Sequence, residues 1–289
     1  MKRLLCQRAL VFCIGLAAAN AAFAGAANRA DAEVDGLATA ERTFAGEAQT
    51  LGVREAFLRH LAEDAWLLRP QPVRAKAWFD AHPARPGSLE WGPEYAEVAA
   101  SGDFGYTFGP WNSTTPAGEK GAGHFFSVWK RGADGAWKNV LDHGIGHGPV
   151  ALDAPLTLRA PGPATPAKLS TSELDARRAD LHARDDALNG ADAQAALTKS
   201  ASTDLRVFED GKMPRVDTAP AAASLAPQGL RRAASDVAAS GDLAYTLGAR
   251  ADAKADAPGG YVRMWRRDAQ RGWLLVVAFA TAPQEPVQR

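Results

Sequence analysis

An α+β fold built twice over is what this sequence predicts, and three observations predict it. Residues 98–109, Val-Ala-Ala-Ser-Gly-Asp-Phe-Gly-Tyr-Thr-Phe-Gly, return at 237–248 with only Phe/Leu, Gly/Ala and Phe/Leu exchanges. Each copy is followed by a strand end, Trp129-Lys130-Arg131 and Trp265-Arg266-Arg267, and by a second tryptophan eight residues on, Trp137 and Trp273. In the first half a helical period gives way to strand alternation, the order that sets helices on one face of a curved antiparallel sheet. Such a repeat makes the chain a tandem duplication, and 289 residues suffice for two domains of ordinary size.

The chain opens with Lys2-Arg3, an apolar run over residues 9–19, and Ala22-Phe23-Ala24 before Gly25. A charged start, a run too short to span a bilayer and a small-x-small site predict a secretory signal at residues 1–24 and a periplasmic or secreted protein. Both cysteines, Cys6 and Cys13, fall inside it, so the mature chain is expected to lack disulfides, a cysteine nucleophile and Cys-ligated zinc. Without Lys2, Arg3 and Arg8 the 33 basic residues become 30 against 33 acidic ones. That balance excludes the basic field of a nucleic-acid binder or an anionic-membrane binder, and the mature form is expected to engage neither.

Residues 25–150 are the expected first domain. Leu37, Phe44, Ala48 and Leu51 share a helical face, and Val53, Phe57, Leu61 and Ala65 continue the spacing past Gly52, which predicts helix over residues 36–64. Pro72 at a helix start opens a third short helix through Trp78 and Phe79, stopped before Pro83. From Leu89 the pattern alternates: residues 95–100 and 104–109 flank Ser-Gly-Asp, and 123–131 and 136–142 flank Asp134-Gly135, two hairpins. Residues 151–168, with Pro155, Pro161, Pro163 and Pro166, read as a linker. At about 3.3 Å per residue it can cross a whole domain. Residues 169–289 are the expected second domain: a polar-faced helical stretch over 169–200, then strands at 234–239, 243–248, 260–267 and 272–279.

These motifs resemble the nuclear transport factor 2-like, or SnoaL-like, superfamily in its exported bacterial branch. The residues that carry the resemblance are Trp91-Gly-Pro93, Ser101-Gly-Asp103, Tyr106-Thr107, Val128-Trp129-Lys130-Arg131, Asp134-Gly135 and Trp137-Lys138. It covers residues 37–148 closely and 169–280 loosely. It implies two tandem cone-shaped half-barrels, in each of which helices close one side of a bent sheet and leave a pocket at the wide end. Isomerases, cyclases, dehydratases and non-catalytic binding modules share that shape, so the fold does not fix the function. Single-domain relatives commonly dimerise; with the long linker, this implies a monomer whose two copies form an internal pseudo-dimer.

Asp142, in Val140-Leu-Asp-His-Gly144 at the expected end of the last strand, is a candidate general base, since an apolar cone raises a carboxylate's pKa. The alternative is an aspartate bonded to local backbone. His124 alternates with Phe126 and Val128 and is the candidate acid, against the alternative of a satisfied structural histidine. Asp142, His143 and His147 invite a metal reading, but three glycines forbid the helix that this spacing needs; a glycine-rich loop is expected, with no metal. Trp91, Trp111, Tyr106 and Trp129 are candidates to line a hydrophobic ligand site, although Tyr106 recurs as Tyr245, which favours a structural role for it. The second copy places Leu230, Arg232, Gly260 and Ala278 near where the first has Trp91, Pro93, His124 and Asp142.

Ketosteroid isomerase chemistry needs oxyanion donors beside its base, and the only tyrosines of the first copy, Tyr95 and Tyr106, lie on strands. No phosphate loop, nucleophile elbow or zinc motif occurs, so no cofactor is expected. The leading expectation is a module that binds a small apolar or amphipathic molecule in the first domain. The rival is an enzyme using Asp142 as base and His124 as acid in proton transfer or dehydration. A structural or partner-binding protein is the third reading, if both cones are filled by side chains.

Overall fold

The computed structural model describes residues 31–69, 71–84, 86–160, 168–217, 219, 225, 229–250 and 259–279. The expected signal at 1–24, with both cysteines, lies outside them. A helix over residues 31–51 (α1) is followed by α2 (Val53–His60). Along α1 the buried positions Leu37, Glu41, Phe44 and Ala48 fall on one face, so a carboxylate takes a place in an apolar stripe.

Helix ends at His60, four residues short of the expected boundary, and Leu61–Leu68 is a strand (β1). Leu61 and Ala65 fit a helical period and a pleat equally well. Pairing decides: β1 runs parallel to a distant strand, with Trp66 opposite Leu141 and Leu67 opposite Asp142. Pro72 likewise starts a short edge strand, β2 (Pro72–Arg74), and the third helix, α3, is Ala75–Ala81. Short β3 (Ser88–Trp91) precedes the meander β4 (Tyr95–Val98), β5 (Phe104–Thr114), β6 (Lys120–Arg131) and β7 (Trp137–Gly146). The linker is not free chain: Thr157–Arg159 forms β8, parallel to β4.

The second half opens with α4 (Thr171–Leu188), capped by Ser170 and Glu173 in a reciprocal capping box, and α5 (Ala193–Ser200). Two strands absent from the sequence expectation follow, β9 (Ala201–Glu209) and β10 (Lys212–Val216). They precede β11 (Leu230–Val237), β12 (Leu243–Arg250), β13 (Gly260–Asp268) and β14 (Gly272–Phe279). The sheets run β2-β1-β7-β6-β5-β4-β8 and β10-β9-β14-β13-β12-β11. Six strands therefore correspond in order between the halves, including a parallel pair at the same place, β1–β7 and β9–β14.

Each half is α+β, with helices packed on one face of its own sheet. Leu37, Phe44, Phe57, Phe79 and Trp129 pack together in the first, and Leu181, Leu188, Leu197, Trp265 and Trp273 in the second. The opposite faces of the two sheets meet in a third apolar cluster, where Phe108 packs on Phe208 and Phe126 on Phe279. Burying such side chains stabilises by about 1.5–3 kcal/mol each.

The repeated Ser-Gly-Asp turns lie against each other. Ser101 N–H donates to Ser240 Oγ (3.1 Å) and Ser240 N–H to Ser101 Oγ (3.2 Å). Reciprocity of this kind marks an isologous contact, here inside one chain. Gly102 and Gly241 let both turns form, at φ of 68° and 66°, where a side chain is strained. The flanking ion pairs reciprocate too: Arg266 holds Glu97 by two hydrogen bonds (2.5 and 2.6 Å), and Lys130 holds Asp236 (2.6 Å). Among the described residues no helix is long and apolar enough to cross a membrane.

Candidate functional site

On the helix side of the first sheet lies a cavity of about 420 Å³, in the range of about 300–1,000 Å³ usual for small-molecule sites. α1 contributes Phe44, α2 Phe57, β3 Leu89 and Trp91, β5 Trp111 and Ser113, and β6 Phe125. Asp142, His143, Gly144, Ile145 and Gly146 of β7 line it as well, together with Arg69 at the β1–β2 corner. One wall comes from the other half of the chain: Asp210, in the turn between β9 and β10, also lines it.

Trp111 owes its position to glycine. A Cβ on Gly123 would sit 2.6 Å from the indole and 1.9 Å from Ile145 O, and the indole Nε1–H donates to that same carbonyl (3.2 Å). The glycine-rich stretch around Asp142 is accordingly strand rather than loop, and Asp142 lies inside β7, not at its end.

Asp142 is opposite Ser127 in the sheet and accepts its hydroxyl (3.0 Å). Burial pushes its carboxyl up to about 6, against the pull of the Arg69 charge and the Ser127 hydrogen bond. Behind the cavity wall sits Glu41, fully buried. Its carboxylate accepts from the indoles of Trp91 (2.7 Å) and Trp129 (2.9 Å) and from the Thr107 hydroxyl (2.6 Å). All three donors are neutral, and burial carries the carboxyl up to about 7 despite them. Glu41 is the residue that sequence reasoning missed. Its signal was a glutamate at the fourth place of Leu37-x-x-x-Glu41-x-x-Phe44, where the period calls for an apolar side chain.

The structure brings together Trp91, Trp111 and Asp142, and places Trp129 beneath them under Glu41 without reaching the cavity. His124 and Tyr106 are on the other face of the sheet. His124 does alternate with Phe126 and Val128, but that face meets the second sheet: its ring lies 6.4 Å from Phe208, with Nδ1 2.6 Å from His147 Nε2 and Nε2 3.4 Å from Glu94. It therefore does not share a cavity with Asp142. Tyr106 donates to Glu97 (2.7 Å) in the same interface. His143 packs on Phe279, and burial drives its ring down to about 3, so it is neutral. Among the described residues no group of three or more His, Cys, Asp or Glu is placed to hold a metal.

The second half has the same elements with a different filling. Asp185, in the stripe Leu181-x-x-x-Asp185-x-x-Leu188 of α4, takes the place of Glu41 and accepts from Thr246 (2.8 Å) and Tyr261 (2.7 Å). It also binds Arg263 (2.8 Å) and Arg232 (2.9 Å). Arg263 stands opposite Ala278, where the first sheet pairs Ser127 with Asp142. Its guanidinium occupies the interior and also reaches Asn189 (3.0 Å).

The fold and cavity define a two-sheet α+β protein with an aromatic, carboxylate-bearing pocket in its first half. No family profile matches the chain, and no curated protein does. Solved structures do. A conserved protein from Planctomyces limnophilus is 19% identical, with 39% of this chain and 97% of that one covered and a TM-score of 0.31. The Δ5-3-ketosteroid isomerase of a Mycobacterium species is 18% identical, with 40% and 95% covered and a TM-score of 0.30. A Mycobacterium tuberculosis protein in complex with estradiol-17β-hemisuccinate is 16% identical, with 37% and 89% covered and a TM-score of 0.29.

Proposed function

We propose that the first half, within residues 25–150, binds a small apolar or amphipathic molecule in the cavity beside Asp142. The observation that carries this reading is the cavity itself: Trp91, Trp111, Phe44, Phe57 and Phe125 around one carboxylate, in a volume that admits a small ligand. Rings of this kind supply most of the binding area, and Asp142 accepts a hydrogen bond from the ligand's polar end. An amphipathic ligand satisfies both. The chain is proposed to be exported, with residues 1–24 removed, and to act as a monomer, because the sheet faces turned away from the helices already cover each other.

One observation favours a catalytic variant of this reading. A carboxyl at about 6 beside an apolar cavity has the proton affinity of a general base working near neutral pH. With His124 behind the sheet, the acid in that variant comes from the substrate or from water.

Tryptophan fluorescence of the purified protein, followed against a panel of small aromatic and alicyclic molecules, tests the binding reading. Trp111→Ala and Asp142→Ala should weaken any hit at least tenfold with circular dichroism unchanged, and Tyr261→Phe should leave it within twofold. Hits that survive both first-half substitutions would place the site elsewhere. Turnover lost in Asp142→Asn while binding persists would select the catalytic variant.

A further inference from the structure

We infer, resting on that reading of the cavity as a binding site, that its ligand is an organic cation, an ammonium group on a small apolar body, and that the second half selects it through Asp210. The lining carries two carboxylates, Asp142 and Asp210, against one cation, Arg69. His143 adds no charge, because burial keeps its ring neutral. Among the described residues that leaves one carboxylate of the lining with no cation beside it. Asp142 takes a hydrogen bond from Ser127 (3.0 Å), with the Asn139 amide also acting on its carboxyl, and Asp210 takes one from the Gly146 N–H (2.8 Å). A carboxylate has about four acceptor positions, so both have capacity to spare, Asp142 buried in the lining and Asp210 exposed beside it. Among the described residues neither is held in an ion pair.

The position of Asp210 is built. Gly211 N–H donates to Gly146 O (2.7 Å), while Asp210 accepts from Gly146 N–H, so the turn is clamped by two bonds to the end of β7. The aromatic walls favour the same guest. Ring faces carry the negative part of the quadrupole and attract ammonium groups, most strongly where water is excluded. An anion meets the unpaired charge as repulsion, and a neutral guest leaves it unanswered.

The test is isothermal titration of the full protein with three phenyl probes: benzyltrimethylammonium, its neutral carbon isostere neopentylbenzene, and the anion 3-phenylpropionate. The cation should bind at least tenfold tighter than the neutral analogue, and the anion should bind weakest. Asp210→Asn should cost the cation fivefold or more and leave the neutral analogue within twofold, and Trp111→Ala should weaken both. If the neutral probe binds as well as the cation, or Asp210→Asn spares the cation, the inference falls while the cavity remains a binding site. If Trp111→Ala changes the affinity of no probe, or none of the three binds, the binding reading falls with it.

Discussion

Two buried carboxylates occupy the same place in the two halves, and their surroundings are opposite. Glu41 is held by two indoles and a hydroxyl, all neutral, with an open cavity beyond Trp91. Asp185 keeps the hydroxyl partner but meets Arg263 and Arg232, and the Arg263 side chain occupies the space. Burial among neutral donors carries the Glu41 carboxyl up to about 7, whereas the two arginines on Asp185 tie the helix to the sheet by ion pairs. The strand order that the two halves share thus accommodates either an ionic cluster or a hollow. At one corresponding place on the third strand of the meander the first half has Ser127 and the second Arg263.

The strongest expected contrast is in stability. Asp185→Asn strips the counter-charge from a buried guanidinium and should cost about 3–5 kcal/mol in urea unfolding. Glu41→Gln removes no ion-pair partner and should cost far less at pH 7. Equal losses would mean that the two carboxylates are not the different devices described.

Next comes pH. Glu41 is raised from 4.5 to about 7, so the folded state binds its proton more tightly than the unfolded chain does. Its contribution is present in full below about 4.5 and is lost as pH rises through 7. At about 1.36 kcal/mol per unit, wild type should lose about 3 kcal/mol relative to Glu41→Gln between pH 4 and 8. His143 works in the opposite sense: its ring is lowered from 6.5 to about 3, so its contribution holds above 6.5 and fails as pH falls towards 3. Unfolding curves of wild type and Glu41→Gln that stay parallel from pH 4 to 8 would contradict the neutral-donor account.

The reciprocal ion pairs between the halves offer a smaller comparison. Glu97 is nearly buried and receives two short bonds from Arg266, so Glu97→Gln should cost about 2–3 kcal/mol. Asp236 and Lys130 are more exposed, and Asp236→Asn should cost under about 1 kcal/mol. A double-mutant cycle on each pair measures both. The smallest expected effect is on binding: Tyr261→Phe loosens one bond to Asp185 and should leave cavity affinity within twofold.

Much of the fold could be read before any coordinates. The Ser-Gly-Asp turns, the Trp strand ends and the Asp134-Gly135 hairpin carry local chemistry that admits few conformations, and they form as expected. β1, β9 and β10 could not be read this way. Leu61 and Ala65 satisfy two periods at once, and only the parallel partner across the sheet makes β1 a strand. The site divided along the same line. Residue type alone points to Trp91 and Trp111, and residue type with a place on the last strand of the meander points to Asp142, all properties of the chain itself. His124 and Tyr106 were assigned to the wrong side, because alternation shows which residues share a face but not what that face meets.

By itself, the sequence determined the repeat, the meander and the apolar stripes that hold Glu41 and Asp185, since these depend on neighbours a few residues apart. Only the tertiary structure decided that the sheets meet on the His124 face, that Asp210 reaches the first cavity, and that Arg263 lies buried against Asp185. Each of those facts rests on contacts between residues tens of positions apart, and which of them form depends on how whole sheets pack.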